Sequence, residues 1–213
     1  SLSDGKIQIK MTLEVKISRN LVPYKTAFSF LRKRVELVKK LKGNELIWIL
    51  EHPLTFTGGI RSKDSEILDK KIEIIKTNRG GKITLHSPGQ KIIYFVLDLN
   101  KRKKDIKNLV KQIEASIIEF LKFYKIKSRA DKKNIGIWVK DKKIAAIGIR
   151  VSNWVAYHGF SINICNDLNY YKKIIPCGID GAKITSAKIE SKIKVLNVEK
   201  KLSGVILEKL KNI

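Results

Sequence analysis

Two short segments constrain this chain more than any others. Glu45-Leu46-Ile47-Trp48-Ile49-Leu50 and Ile92-Ile93-Tyr94-Phe95-Val96-Leu97-Asp98 are almost unbroken runs of apolar residues. Successive side chains of a strand point to opposite faces, so strands apolar at nearly every position must be covered on both. Helical patterns supply the cover. Residues 24–41 carry Ala27, Phe28, Leu31, Val35, Val38 and Leu41 at helical spacing, with Gly43 as a stop. Asp105 is an N-cap for a helix with Ile106, Leu109, Val110, Ile113, Ile117, Leu121 and Tyr124 on one face. A last amphipathic helix starts near Asn197, with Val198, Leu202, Val205, Ile206 and Leu210.

Further strands are expected at 7–17, 72–75, 135–140, 143–151 and 158–165, with Asp141 and Lys142 forming a hairpin turn. Residues 52–59, 79–90 and 170–183 read as irregular, being rich in Gly and Pro or held between turns. The fold class that follows is α/β (α+β): a mixed β-sheet domain with flanking helices, one domain over residues 1–213.

The chain has 45 Lys and Arg against 20 Asp and Glu, a formal net charge of +25 at pH 7. Nucleic-acid binding is the obvious reading of that excess, but the count behind it is uneven: 37 Lys, 8 Arg, and 33 Ile. Base-edge readers lean on the planar fork of Arg, which is scarce here. Lys and Ile enrichment is what AT-rich coding produces without a functional cause. The charge still attracts acidic partners.

No run of 18 apolar residues spans a membrane, and Ser1 to Lys10 has no signal-peptide core. Met11 is the only Met, so residues 1–10 are either an extended N-terminus or an upstream addition. Two cysteines without a secretion signal indicate free thiols in the cytoplasm. The three His and two Cys lack metal-finger spacing, so no metal is expected.

Three segments could carry chemistry. Cys177 lies between Pro176 and Gly178, in a loop where a thiol can meet a reacting carbonyl. A thiolate is the nucleophile, and an ordinary thiol, with a pKa of about 8.5, needs an activating His or Lys. The bland alternative is a small buried hydrophobe, a role that suits Cys165 better because it ends an alternating strand. The segment Arg79-Gly80-Gly81-Lys82-Ile83-Thr84-Leu85-His86 allows close backbone approach to a ligand, although it is neither a P-loop nor a dinucleotide fingerprint. In Lys143-Ile144-Ala145-Ala146-Ile147-Gly148 the small residues leave room on a strand for something to lie against.

In order, Glu51-His52-Pro53, Thr57-Gly58-Gly59, Arg79-Gly80-Gly81 through His86-Ser87-Pro88-Gly89-Gln90, Lys143 to Gly148, His158-Gly159-Phe160-Ser161-Ile162-Asn163 and Pro176-Cys177-Gly178-Ile179 resemble the lipoyl(octanoyl) transferase family. The resemblance runs from about residue 20 to the end. It departs from the family at Ser87, where Gly is usual, and at Arg61, displaced by one residue through Ile60.

The resemblance implies a fold like the catalytic domain of biotin protein ligases and lipoate ligases. It also implies transfer of an octanoyl group from acyl carrier protein to a lysine of lipoyl domains of 2-oxoacid dehydrogenases, or of the glycine-cleavage H protein. The implied catalytic residues are Cys177 and Lys143. Substrate would be bound by Arg79, Gly80, Gly81, Lys82, Ile83, Thr84, Leu85, His86, Ala146, Ile147, Gly148, Gly159, Phe160 and Ser161. No cofactor is expected, because octanoyl-phosphopantetheine arrives on its carrier, and the enzyme is expected to be a monomer that binds neither nucleic acid nor membrane. His86 and His158 are expected to hydrogen-bond loops. The rival within the fold is an ATP-dependent lipoate–protein ligase, which needs no cysteine. The rival outside it is a basic nucleic-acid-binding module.

Overall fold

The computed structural model describes residues 12–180 and 183–213. Its elements in chain order are β1 (Leu13–Ile17), α1 (Tyr24–Lys39), β2 (Glu45–Leu50), β3 (Thr55–Gly58), β4 (Ile74–Lys76), β5 (Ile83–His86), β6 (Gln90–Asp98), α2 (Ile106–Lys122), β7 (Arg129–Ala130), β8 (Ile137–Val139), β9 (Lys142–Ser152), β10 (Val155–Asn163), α3 (Ala187–Glu190) and α4 (Val198–Leu210). Seven strands form one sheet in the order β1-β2-β6-β10-β9-β8-β7, and three form a smaller sheet in the order β4-β3-β5. β1 runs parallel to β2 and the other pairs of the large sheet are antiparallel, which makes it mixed as expected.

The two apolar runs become the neighbouring central strands β2 and β6. Their alternation splits the core. Leu46, Trp48, Leu50, Ile92, Tyr94 and Val96 pack under α1, while Ile47, Ile49, Ile93, Phe95 and Leu97 pack under α2 and α4. Asp105 caps α2 by accepting from the Asn108 N–H at 2.9 Å. The helical faces hold except at their ends: Leu41 lies beyond the end of α1 with φ 56° and is exposed, and Ile106, in the first turn of α2, is exposed too.

Several sequence expectations are corrected. The segments 52–59 and 79–90 hold strands β3 and β5 rather than only loops. Their four-residue alternations, Thr-Phe-Thr-Gly and Ile-Thr-Leu-His, are interrupted by Gly and Pro on both sides, so the period is too short to stand out. The small sheet has its own core, Phe56, Ile83 and Leu85 against Tyr171, Ile174 and Ile184. The hairpin turn is Lys140-Asp141, with Lys140 at φ 54°, one residue earlier than read from sequence. The strand expected at 7–17 is present as β1 from Leu13, and residues 7–11 lie outside the described residues. Cys165 is exposed rather than buried, because Ile164 takes the buried place where the chain leaves β10. No helix of the described residues is long and apolar enough to cross a membrane.

Candidate active site

The small sheet and the loop joining β4 to β5 sit over the α1 face of β6, β10 and β9. Between these layers runs a narrow slot of about 60 Å³. Its floor comes from three adjacent strands in register: Ile92 beside Ser161 beside Ala146, and Tyr94 beside Gly159 beside Gly148. Its roof is Arg79, Gly80 and Gly81 from the loop, with Thr84 and His86 from β5. Tyr24, the first residue of α1, also lines it, as does Cys177. What lies against Gly148 is the Gly80 carbonyl, 3.2 Å from where a Cβ would stand.

Cys177 occupies a short turn, Pro176–Gly178, at φ 53° and ψ 26°. A left-handed non-glycine residue costs of order 1–3 kcal/mol and survives only where its surroundings enforce it. Here Pro176 is buried, the Ile179 N–H bonds the Pro176 carbonyl at 3.0 Å, and the Lys82 side chain lies over Gly178. Lys143 approaches from the start of β9. Strand alternation leaves Lys142 exposed and buries Lys143 to 6% exposure. The Thr185 N–H fixes its carbonyl at 2.9 Å, and its Nζ stands 5.7 Å from the centroid of the Trp138 ring. Cys177 and Lys143 meet at one small cavity with Thr84, Ala146, Ser161, Asn163 and Tyr171, and it adjoins the slot through Thr84, Ala146, Ser161 and Cys177.

A buried polar network backs this cavity. Asn163 Oδ1 accepts from Gln90 Nε2 at 2.9 Å, Asn166 Nδ2 at 3.1 Å and Tyr171 OH at 3.3 Å, and Asn163 Nδ2 donates to the Thr185 carbonyl at 3.1 Å. Asn163 thus ties the wall behind Cys177 to the segment that holds Lys143.

The three histidines are neutral at pH 7. Burial pulls His52 down to about 4, and burial with nearby positive charge pulls His86 and His158 to about 3. Their partners assign the tautomers. His52 Nδ1–H donates to the Val22 carbonyl at 2.6 Å, leaving Nε2 to accept from Tyr94 OH at 2.8 Å. His86 Nδ1–H donates to Gln90 Oε1 at 2.8 Å, and His158 Nε2–H donates to Asn78 Oδ1 at 2.7 Å. Of the two expected to bond loops, His158 does so through Asn78, while His86 bonds Gln90 at the start of β6.

Arg79 is the buried cation of the slot, its pKa lowered by burial but supported by the Cys177 sulfur and nearby tyrosines. Its Nη2 donates to the Thr57 carbonyl and hydroxyl, both at 2.9 Å, and to the Lys82 carbonyl at 2.8 Å. Its Nε is buried and meets no partner among the described residues. A buried unpaired N–H beside a cavity is a donor waiting for an oxygen.

Of the residues singled out in the sequence, the structure gathers Cys177, Lys143, Arg79, Gly80, Gly81, Thr84, His86, Ala146, Ile147, Gly148, Gly159, Phe160 and Ser161 around these two adjoining cavities. It does not bring Lys82, Ile83 or Leu85 there. The period of two in β5 turns Ile83 and Leu85 into the core of the small sheet, and Lys82 pairs with Glu66 at 3.4 Å. Arg61 is exposed and lines neither cavity. Sequence reasoning missed Tyr24, Ile92, Tyr94 and Tyr171. The alternation of 92–98 separates Ile92 and Tyr94 from their neighbours, but only the packed fold shows which face carries the slot. Among the described residues no three His, Cys, Asp or Glu side chains gather that could hold a metal ion.

Residues 23–206 match the family model described as the lipoyl protein ligase A/B catalytic domain. An octanoyltransferase of Wolbachia sp. subsp. Brugia malayi, strain TRS, is 42% identical over 177 residues, covering 81% of this chain and 86% of the relative. One from Anaplasma marginale, strain Florida, is 41% identical over 180 residues, covering 82% and 84%. Among solved structures, a bipartite lipoate protein ligase of Thermoplasma acidophilum superposes with TM-score 0.71 at 15% identity, covering 94% of this chain and 84% of that one. The biotin protein ligase of Aquifex aeolicus superposes with TM-score 0.51 at 15% identity, covering 95% and 70%. At such identity these two establish the shared fold.

Proposed function

The chain belongs to the lipoyl protein ligase A/B catalytic-domain family, among its octanoyltransferases, and we propose that it moves an octanoyl group from acyl carrier protein to a lysine of a lipoyl domain or H protein through a Cys177 acyl-enzyme. The observation that carries this reading is the meeting of Cys177 and Lys143 at one cavity that continues as a slot between packed strands.

In the first step the Cys177 thiolate attacks the carbonyl carbon of the octanoyl thioester. The bond to the carrier's phosphopantetheine sulfur breaks, and that sulfur leaves with the proton of the Lys143 ammonium. One thioester replaces another, so no ATP is consumed. In the second step the acceptor lysine amine attacks the acyl-enzyme, neutral Lys143 takes the amine proton, and the Cys177 sulfur leaves. The product is an amide, which makes the transfer one-way, and the kinetics are ping-pong. The unpaired Arg79 Nε–H is the donor available to the carbonyl oxygen as it gains charge. The alkyl tail lies along Ala146, Gly148, Gly159 and Ile92. At about 0.8 kcal/mol per buried CH₂, its six methylenes supply about 5 kcal/mol of binding.

The test is mass spectrometry after mixing with octanoyl carrier protein in the absence of ATP. One octanoyl mass on Cys177, transferred onward when a lipoyl domain is added, supports the reading. A Cys177→Ala protein that transfers at the normal rate, or transfer that requires ATP, overturns it. Lys143→Ala is expected to slow transfer about 10³-fold, as loss of a proton-transfer group does. Lys142→Ala, on the exposed side of β9, is expected to stay within twofold.

A further inference from the structure

The slot has a wall at the end away from Cys177, and behind that wall lies a second, larger space. A groove of about 790 Å³ runs between α1 and the 75–78 segment, over an apolar base that includes Phe28, Val35, Ile75 and Tyr157. Tyr24 lines both the slot and the groove. The wall is a set of stacked rings. Tyr24 stacks on His86 (centroids 5.9 Å apart, planes 11°) and on Phe28 (6.4 Å, 12°), and Phe28 stacks on His158 (6.1 Å, 16°). It is fixed from the groove side too, where His158 bonds Asn78. His158 reaches the α1 face because its φ of 64° turns it out of the alternation of β10.

Strand register measures the distance from catalytic cavity to wall. Ser161 lines both the catalytic cavity and the slot, His158 belongs to the wall, and Tyr157 lines the groove. His158 lies three strand steps from Ser161, about 10 Å at roughly 3.3 Å per residue. An extended octanoyl chain spans seven bonds from carbonyl to methyl, about 9 Å at roughly 1.25 Å per bond, from ordinary C–C lengths and angles. A dodecanoyl chain needs about 14 Å on the same geometry, which reaches past His158 to the level of Tyr157.

We propose that the Tyr24–Phe28–His158 wall is the chain-length stop of this enzyme, and that removing its rings joins the slot to the α1 groove and admits acyl chains of ten to twelve carbons. The proposal rests on the octanoyl-transfer reading and adds the residues that set which acyl chain is taken.

The experiment compares octanoyl, decanoyl and dodecanoyl N-acetylcysteamine thioesters as acyl donors, reading acyl-Cys177 formation by mass and rate. Wild type is expected to acylate at least tenfold faster with octanoyl than with dodecanoyl. Tyr24→Ala is expected to raise the dodecanoyl-to-octanoyl rate ratio at least tenfold, and Phe28→Ala, at a half-buried and more forgiving position, at least threefold. An unchanged ratio in a Phe28→Ala protein with a cooperative unfolding transition overturns the stop, even if Tyr24→Ala fails to fold. Failure of wild type to form any octanoyl adduct on Cys177 overturns the transfer mechanism instead, so the two failures are distinguishable.

Discussion

The side chain of Lys143 lies against the α-carbon of Gly136: a methyl group there would overlap Lys143 Cε and stand 3.1 Å from Nζ. Gly136, at φ 141°, sits just before β8 and leaves the space through which the lysine reaches the Cys177 cavity. Gly136→Ala is therefore expected to push the amine aside and, because the methyl would also stand 2.7 Å from the Ala145 carbonyl, to shift the β8–β9 pairing that carries it. A displacement near 1 Å costs about 10²-fold in rate where geometry matters this closely. The check is kcat for octanoyl transfer beside Gly204→Ala, in an exposed turn of α4 where, outside the helix's own backbone, no atom of the described residues comes within 4 Å of the new methyl. That control should gain about 0.5–1 kcal/mol of stability and keep its rate. A Gly136→Ala enzyme with normal kcat would show that Lys143 needs no such clearance.

Ser87 stands where the resembling family has Gly, and the structure shows the consequence. The residue is 1% exposed and its hydroxyl is buried with no hydrogen-bond partner among the described residues. An unsatisfied buried hydroxyl costs about 1–3 kcal/mol. Ser87→Ala removes it while keeping the Cβ, and should raise stability by about 1 kcal/mol, a Tm increase of about 2–4 °C for a chain this size. Calorimetry of the two proteins decides the point, and an unchanged or lower Tm would mean the hydroxyl has a partner.

What the sequence revealed depended on period and length. α1 and α2 were legible because each repeats its 3.6-residue pattern over at least sixteen residues, and β2 and β6 because each is a nearly unbroken apolar run of six or more residues. β3 and β5 were not, since each has four residues framed by glycines and prolines. The site divides the same way. Cys177 stood out through local chemistry, and Lys143, one of 37 lysines, only through the motif order that carries the resemblance. The roles of Ile92, Tyr94 and Tyr24 depend on which face of the sheet the small sheet covers, a long-range fact that no local pattern holds. The exposure of Cys165 was misread for a related reason: alternation gives the facing of a strand residue but not where the strand ends.

Basic residues flank the Cys177 turn: Lys82, paired with Glu66, lies over Gly178, and Lys172 and Lys173, the latter paired with Asp69, stand just before Pro176. An acidic carrier docking there would be steered by charge, and such steering weakens as salt shortens the screening length from about 10 Å at 0.1 M to about 3 Å at 1 M. We expect kcat/KM with octanoyl carrier protein to fall about tenfold over that range. The value with a small, neutral octanoyl thioester should change less than twofold. Equal responses would assign the +25 charge to composition rather than to docking.

The three neutral histidines make acid a specific threat to this fold. Each is buried, and burial is the first cause of its low pKa, about 4 for His52 and about 3 for His86 and His158. In the unfolded chain a histidine takes its proton near 6.5. Between that pH and about 4 the unfolded state binds more protons than the folded one, so stability is full above about 7 and declines as pH falls. At about 1.4 kcal/mol per pH unit for each proton, every histidine withdraws about 2 kcal/mol by pH 5. The stability of an ordinary domain is about 5–15 kcal/mol, so three such losses bring unfolding close to pH 5–4. Denaturant titrations from pH 8 to pH 5 should show a slope steepening toward three protons. His158→Gln keeps a donor toward Asn78 and removes the titration, which should reduce the slope to two. A stability that stays flat from pH 7 to pH 5 would mean that the histidines take protons without unfolding the site.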